Sequence, residues 1–276
     1  LTLLFKRGLS EAELPAATCL ENVIFASQVL LGTGLGVMLF QKISVFTLLA
    51  IDAASFLGSL LMLWLAGRRF SAPSLPSLEE EEAPAALRWR TLTVRQKRSL
   101  LILPALAAVG SPAMALLPAL AQQIHPQDAA GLALPLLFAR SLGQLCGPML
   151  LKKESLTRFA ARTPRIIVCL GIFLAAYGML PLLSGWMACA LGMIFIAHLA
   201  SNVLFAAGTF GILSSFHITQ TASASGKAWR WQTLSASLFT GIAAAVAAGF
   251  GSVAALYAVS SAALVMVALI VRRYRE

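Results

Sequence analysis

Residues 166–226 contain no Asp, Glu, Lys or Arg across 61 consecutive positions, and residues 231–271 add another 41. A helix crossing the hydrocarbon of a bilayer needs about 20 mostly apolar residues, so each run is long enough for two crossings. Pro181 and the Ser184-Gly185-Trp186 turn divide the first run, and Gly249-Phe250-Gly251-Ser252 divides the second. The same reading upstream gives eight spans in all: 16–40, 44–66, 99–123, 128–151, 165–184, 187–215, 230–249 and 252–271. Charged residues make up only 12% of the chain and hydrophobic ones 59%, where a soluble domain carries about 25% charge. That balance excludes a soluble enzyme, a disordered chain and a secreted disulfide scaffold. The expected fold is an all-α polytopic membrane protein with about eight transmembrane helices.

One stretch cannot enter the membrane. Residues 67–98 run from Arg68-Arg69 through Pro73, Pro76, Glu79 to Glu82 and Pro84, then to Arg88, Arg90, Arg95, Lys97 and Arg98. This charged, proline-punctuated run reads as a solvated linker, with a short amphipathic helix around Leu87-Arg88-Trp89-Arg90. Assigning alternate loops to one side of the membrane places 19 of the 21 Lys and Arg residues there. Lys42 lies opposite and Arg140 lies inside a span. Cytoplasmic loops are the basic ones, so both termini are expected in the cytoplasm. The start of the chain shows no cleavable signal peptide, because Lys6-Arg7-Gly8 is followed by polar Ser10-Glu11-Ala12-Glu13.

The net charge of +10 does not mark a nucleic-acid binder, since the cations sit in short clusters between spans rather than on one soluble face. Cys19, Cys146, Cys169 and Cys189 lie in apolar stretches with no CxxC pair; they read as small hydrophobes, with neither metal nor disulfide implied. No GxSxG, HExxH, Walker A or suitably placed GxGxxG is present, so no enzyme, cofactor or metal site is expected. Close helix packing in lipid relies on small residues. Seams are expected at Gly32-Thr33-Gly34-Leu35-Gly36, at Gly143 and Gly147, and along Gly241 to Gly249.

Ionisable and polar residues at membrane depth are costly and mark functional candidates. Arg140 lies roughly 18 Å into its span and should face a wet cavity or an acidic partner; the bland alternative is a structural ion pair or a snorkelling side chain. Gln144 follows one turn later on the same face. Asp52 is a carboxylate inside an apolar run, suited to carry a proton or to pair with Arg140, or else structural. His198 and Asn202, four residues apart near the middle of the sixth span, could couple a proton to substrate or simply bond between helices. Gln28, mid-span in the first helix, is a further cavity candidate.

The order of features resembles the later part of a major facilitator superfamily transporter, nearest its drug, macrolide and siderophore exporters. Glu13-Leu14-Pro15-Ala16-Ala17, followed by Gly32, Gly34 and Gly36, is similar to the opening and outer end of that family's fifth helix. Asp52-Ala53-Ala54-Ser55-Phe56 resembles a string in its sixth. The linker 67–98 stands where the two six-helix halves are joined. Leu117-Pro118, Gly131, Gly143 and Gly147 fit the seventh and eighth helices, whereas Lys152-Lys153 replaces the family's loop signature, whose Asp and later Gly are missing.

The resemblance implies residues 1–66 as the last two helices of an N-terminal half, 67–98 as a cytoplasmic linker and 99–276 as the C-terminal half. It implies a truncated chain whose partners include the four missing N-terminal helices, membrane lipid, protons and a small-molecule substrate, with no nucleic acid. The implied activity is proton-coupled efflux of a small amphipathic molecule by alternating access in a bacterial plasma (inner) membrane. Two other readings are a lysophospholipid transporter-like flippase and a non-transporting membrane scaffold or inactive remnant.

Overall fold

With no water in the hydrocarbon, each spanning segment must satisfy its own backbone hydrogen bonds, and the long uncharged runs accordingly become helices. The computed structural model describes residues 6, 9–10, 12–39, 42–69, 87–125, 129–151, 156, 159–160 and 162–274. Eight helices follow one another among them: α1 (Leu14–Leu39), α2 (Val45–Arg69), α3 (Val94–Ile124), α4 (Ala129–Met149), α5 (Thr163–Met179), α6 (Met187–Ser215), α7 (Ile218–Phe250) and α8 (Ser252–Arg272). Seven of these, α1 to α3 and α5 to α8, are long and apolar enough to cross a membrane by length and composition. Among the described residues there is no strand. The fold is that of a polytopic helical protein.

Two expectations are corrected. The amphipathic helix around Leu87–Arg90 is a single 3-10 turn, Trp89–Thr91, because the Thr93 cap starts a new helix immediately after it. The seventh helix begins at Ile218, not near residue 230. Residues 218–229 hold Thr, Ala, Ser and Gly around Lys227, with no proline to stop a helix. The charged linker falls mainly on residues 70–86, and Asp128 and Lys152-Lys153 are likewise outside the described residues.

The chain divides into two units, residues 1–30 with 84–276, and residues 31–83. In the second, α2 buries none of its apolar window, and Asp52 is exposed on it. In the first, α3 is the central helix, with most of its length buried. Its start is fixed by a reciprocal cap: the Thr93 hydroxyl accepts from the Gln96 backbone N–H at 3.2 Å, and the Gln96 side chain accepts from the Thr93 N–H at 3.0 Å. Pro104, Pro112 and Pro118 all lie inside it, as spanning helices tolerate when neighbours compensate the freed carbonyls. One continuous core gathers Leu120, Leu136, Ile166, Phe173, Ile194, Leu256 and Val267 from α3 through α8. The start of α1 joins this unit: Leu14, Thr18, Asn22 and Ala26, at helical spacing, are buried, and Leu14 packs with Ala206, Phe210 and Leu213 of α6.

Candidate functional site

Among the described glycines of the three seams, those of one bring helices together. A Cβ on Gly143 would collide with the Phe195 carbonyl oxygen, and one on Gly147 would lie 2.7 Å from that of Leu199. At Gly32, Gly34, Gly241 and Gly249 an added Cβ meets nothing within 4 Å. Because Gly143 faces Phe195 to Leu199 and Gly147 faces Leu199 to Val203, α4 and α6 run parallel in near backbone contact. The Asn202 side-chain amide donates to the Gln144 carbonyl across this seam.

That approach sets four of the predicted residues side by side. Arg140 lies eleven residues into α4 and His198 eleven into α6, so each sits about 16 Å along its helix. Gln144 and Asn202 follow on the next turns. His198 is completely buried, and its Nε2 lies 2.8 Å from the hydroxyl of Tyr177 on α5, which is also completely buried. The Phe173 ring closes the knot, 4.7 Å from the Tyr177 ring centroid and 5.7 Å from that of His198. The Arg140 guanidinium is near enough for its charge to act on both Tyr177 and His198.

The hydrogen-bond inventory of this knot does not close. Arg140 Nε, Gln144 Oε1 and His198 Nδ1 are buried without a partner. Tautomer choice does not remove the deficit. If the tyrosine donates to Nε2, the proton on Nδ1 has no acceptor; if Nε2 donates, the Nδ1 lone pair has no donor. Buried orphan atoms of this kind are rare and each needs an explanation. Nor, among the described residues of its unit, does a carboxylate neutralise Arg140. The described carboxylates of its unit are Glu13, which accepts from Ser10, and Glu21, whose Oε2 has no partner.

Gln28 is exposed on α1, and Asp52 belongs to the second unit. Tyr177 is the residue that sequence reasoning missed. The available signal was a phenolic hydroxyl inside an apolar run, which must find a partner when buried. Among the described residues no group of three His, Cys, Asp or Glu side chains could hold a metal ion. No family model, curated protein or solved structure matches the chain.

Proposed function

We propose that the chain belongs to a secondary active transporter of the major facilitator type, which exports a small amphipathic molecule in exchange for protons. The observation that carries this reading is the unsatisfied polar knot between α4, α5 and α6, centred on Arg140 and His198. A bundle that served only as a scaffold would gain by filling these positions with apolar side chains, since each buried orphan costs about 1–3 kcal/mol. Ionisable groups kept at membrane depth mark ion and substrate paths. In this reading Arg140 holds a polar group of the substrate. His198, tethered through Nε2 by Tyr177, offers Nδ1 to a proton or to the substrate. Gln144 and Asn202 extend the polar surface by one helical turn, while Phe173 supplies the apolar wall. The direction of transport and the coupling to protons come from the resemblance of the Glu13–Ala17 and Asp52–Phe56 strings to the exporter branch.

The test is proton flux in pyranine-loaded proteoliposomes, started by an outward gradient of an amphipathic fluorescent dye. Arg140→Ala should abolish dye-coupled proton movement, and Arg140→Lys should keep part of it by retaining the charge without the planar fork. Unchanged coupled flux in Arg140→Ala removes Arg140 from the mechanism.

A further inference from the structure

Three segments distant in sequence meet in the first unit, and among the described residues they bring cations without acids. Trp89, in the turn before α3, has its ring centroid 5.4 Å from Trp231 of α7 and 5.8 Å from Tyr274 beyond α8, edge-on to both. Lys97 Nζ lies 5.9 Å from the centre of the Trp89 ring, and Lys227 Nζ lies 5.2 Å from that of Trp231. Lys227 also donates to the Leu87 carbonyl at 3.0 Å. The three rings are half-buried, while Arg88, Arg90, Arg230, Arg272 and Arg273 beside them in sequence are exposed.

Among the described residues, no carboxylate in these segments offsets that charge. The described carboxylates of the unit, Glu13 and Glu21, belong to the start of the chain and α1. Both lysines are held by ring faces and a carbonyl, interactions that leave their charge intact. Gathered like charges repel one another, so the cluster favours an anion that spans several cations. Its place is also telling: Trp89 precedes α3 and Tyr274 follows α8, at the ends of hydrocarbon-length helices, the level at which Trp and Tyr seat in a headgroup layer.

We propose that this cluster binds the headgroup of an anionic phospholipid, with Trp89, Trp231 and Tyr274 against the glycerol and the surrounding arginines on the phosphate. Each cation near a membrane surface strengthens binding of anionic lipid by about fivefold, so removing three should weaken it on the order of a hundredfold. The proposal is independent of the transport reading, because it uses none of the residues of the α4–α6 knot.

The experiment is native mass spectrometry of the full chain in mixed micelles carrying phosphatidylglycerol, cardiolipin or phosphatidylcholine. Phosphatidylglycerol and cardiolipin should be retained and phosphatidylcholine lost. Arg90→Gln combined with Arg230→Gln and Arg273→Gln should lower retention by the stated factor, and the matching triple Lys variant should hold it within a few-fold. Arg162→Gln, an exposed cation outside the cluster, should change nothing. Equal retention of phosphatidylcholine, an unaffected triple Gln variant, or an equal loss in Arg162→Gln overturns the proposal. Displacement of the lipid by millimolar inorganic phosphate also overturns it, since the cluster would then be a site for free anions.

Discussion

Removing one hydroxyl, by Tyr177→Phe, tests the centre of the candidate site with almost no change in packing. The ring keeps its contact with Phe173, 4.7 Å between centroids, and only the 2.8 Å bond to His198 Nε2 is lost. Because His198 Nδ1 already lacks a partner, the variant leaves both nitrogens of a completely buried imidazole unpaired. Orphaning a buried polar atom costs about 1–3 kcal/mol. Interhelical hydrogen bonds in membranes average nearer 0.6 and reach about 1.7 kcal/mol, because the chain dispersed in lipid also finds partners. Full burial of both residues puts this bond at the upper end, so a loss of about 1–2 kcal/mol is expected. The assay is reversible unfolding in SDS mixed micelles for Tyr177→Phe, His198→Leu and the double variant. Once His198 is gone the tyrosine hydroxyl is itself the orphan, so Tyr177→Phe should then be neutral or stabilising, giving a coupling energy of about 1 kcal/mol or more. The same cost in both backgrounds would refute the argument, because the hydroxyl would then owe nothing to the imidazole.

Two further outcomes follow from the packing and the helix order. Gly147→Ala places a Cβ 2.7 Å from the Leu199 carbonyl oxygen and should destabilise by about 1–3 kcal/mol in the same assay. Gly171→Ala, with open space around it, should be neutral or stabilising by up to about 1 kcal/mol; equal effects at the two sites would remove the α4–α6 seam. For topology, a membrane-impermeant maleimide should label exposed Cys189, near the start of α6, from the same side as Lys42→Cys and from the side opposite Arg162→Cys. Buried Cys169 should react only after denaturation. Labelling of Cys189 and Arg162→Cys from one side would break the alternation of spans.

The helix inventory was legible from residue order alone. Each spanning segment closes its own backbone hydrogen bonds, so an uncharged run of sufficient length becomes a helix whatever surrounds it. Misplacements arose where composition was intermediate. Around Leu87–Arg90 the Thr93 cap left room for one turn only, and at 218–229 a polar but unbroken stretch extended α7 inward. Arg140, Gln144, His198 and Asn202 stood out because polar groups are conspicuous in an apolar run, and their i, i+4 spacing put each pair on one face.

Which faces meet was not encoded in that way. Lipid tails are as apolar as a protein core, so a spanning helix need not segregate its hydrophobic residues toward its neighbours, and the periodicity that orients a soluble amphipathic helix is weak here. Three glycine seams looked alike in sequence, yet among their described glycines only Gly143 and Gly147 lie against another backbone, because shape complementarity over whole helix faces selects among them. The same selection joined Tyr177 to His198 and drew Trp89, Trp231 and Tyr274 into one cluster. Residue order thus determined how many helices form and where they stop, through bonds made within each segment. The tertiary structure decided which side chains share a site, through van der Waals fit between segments.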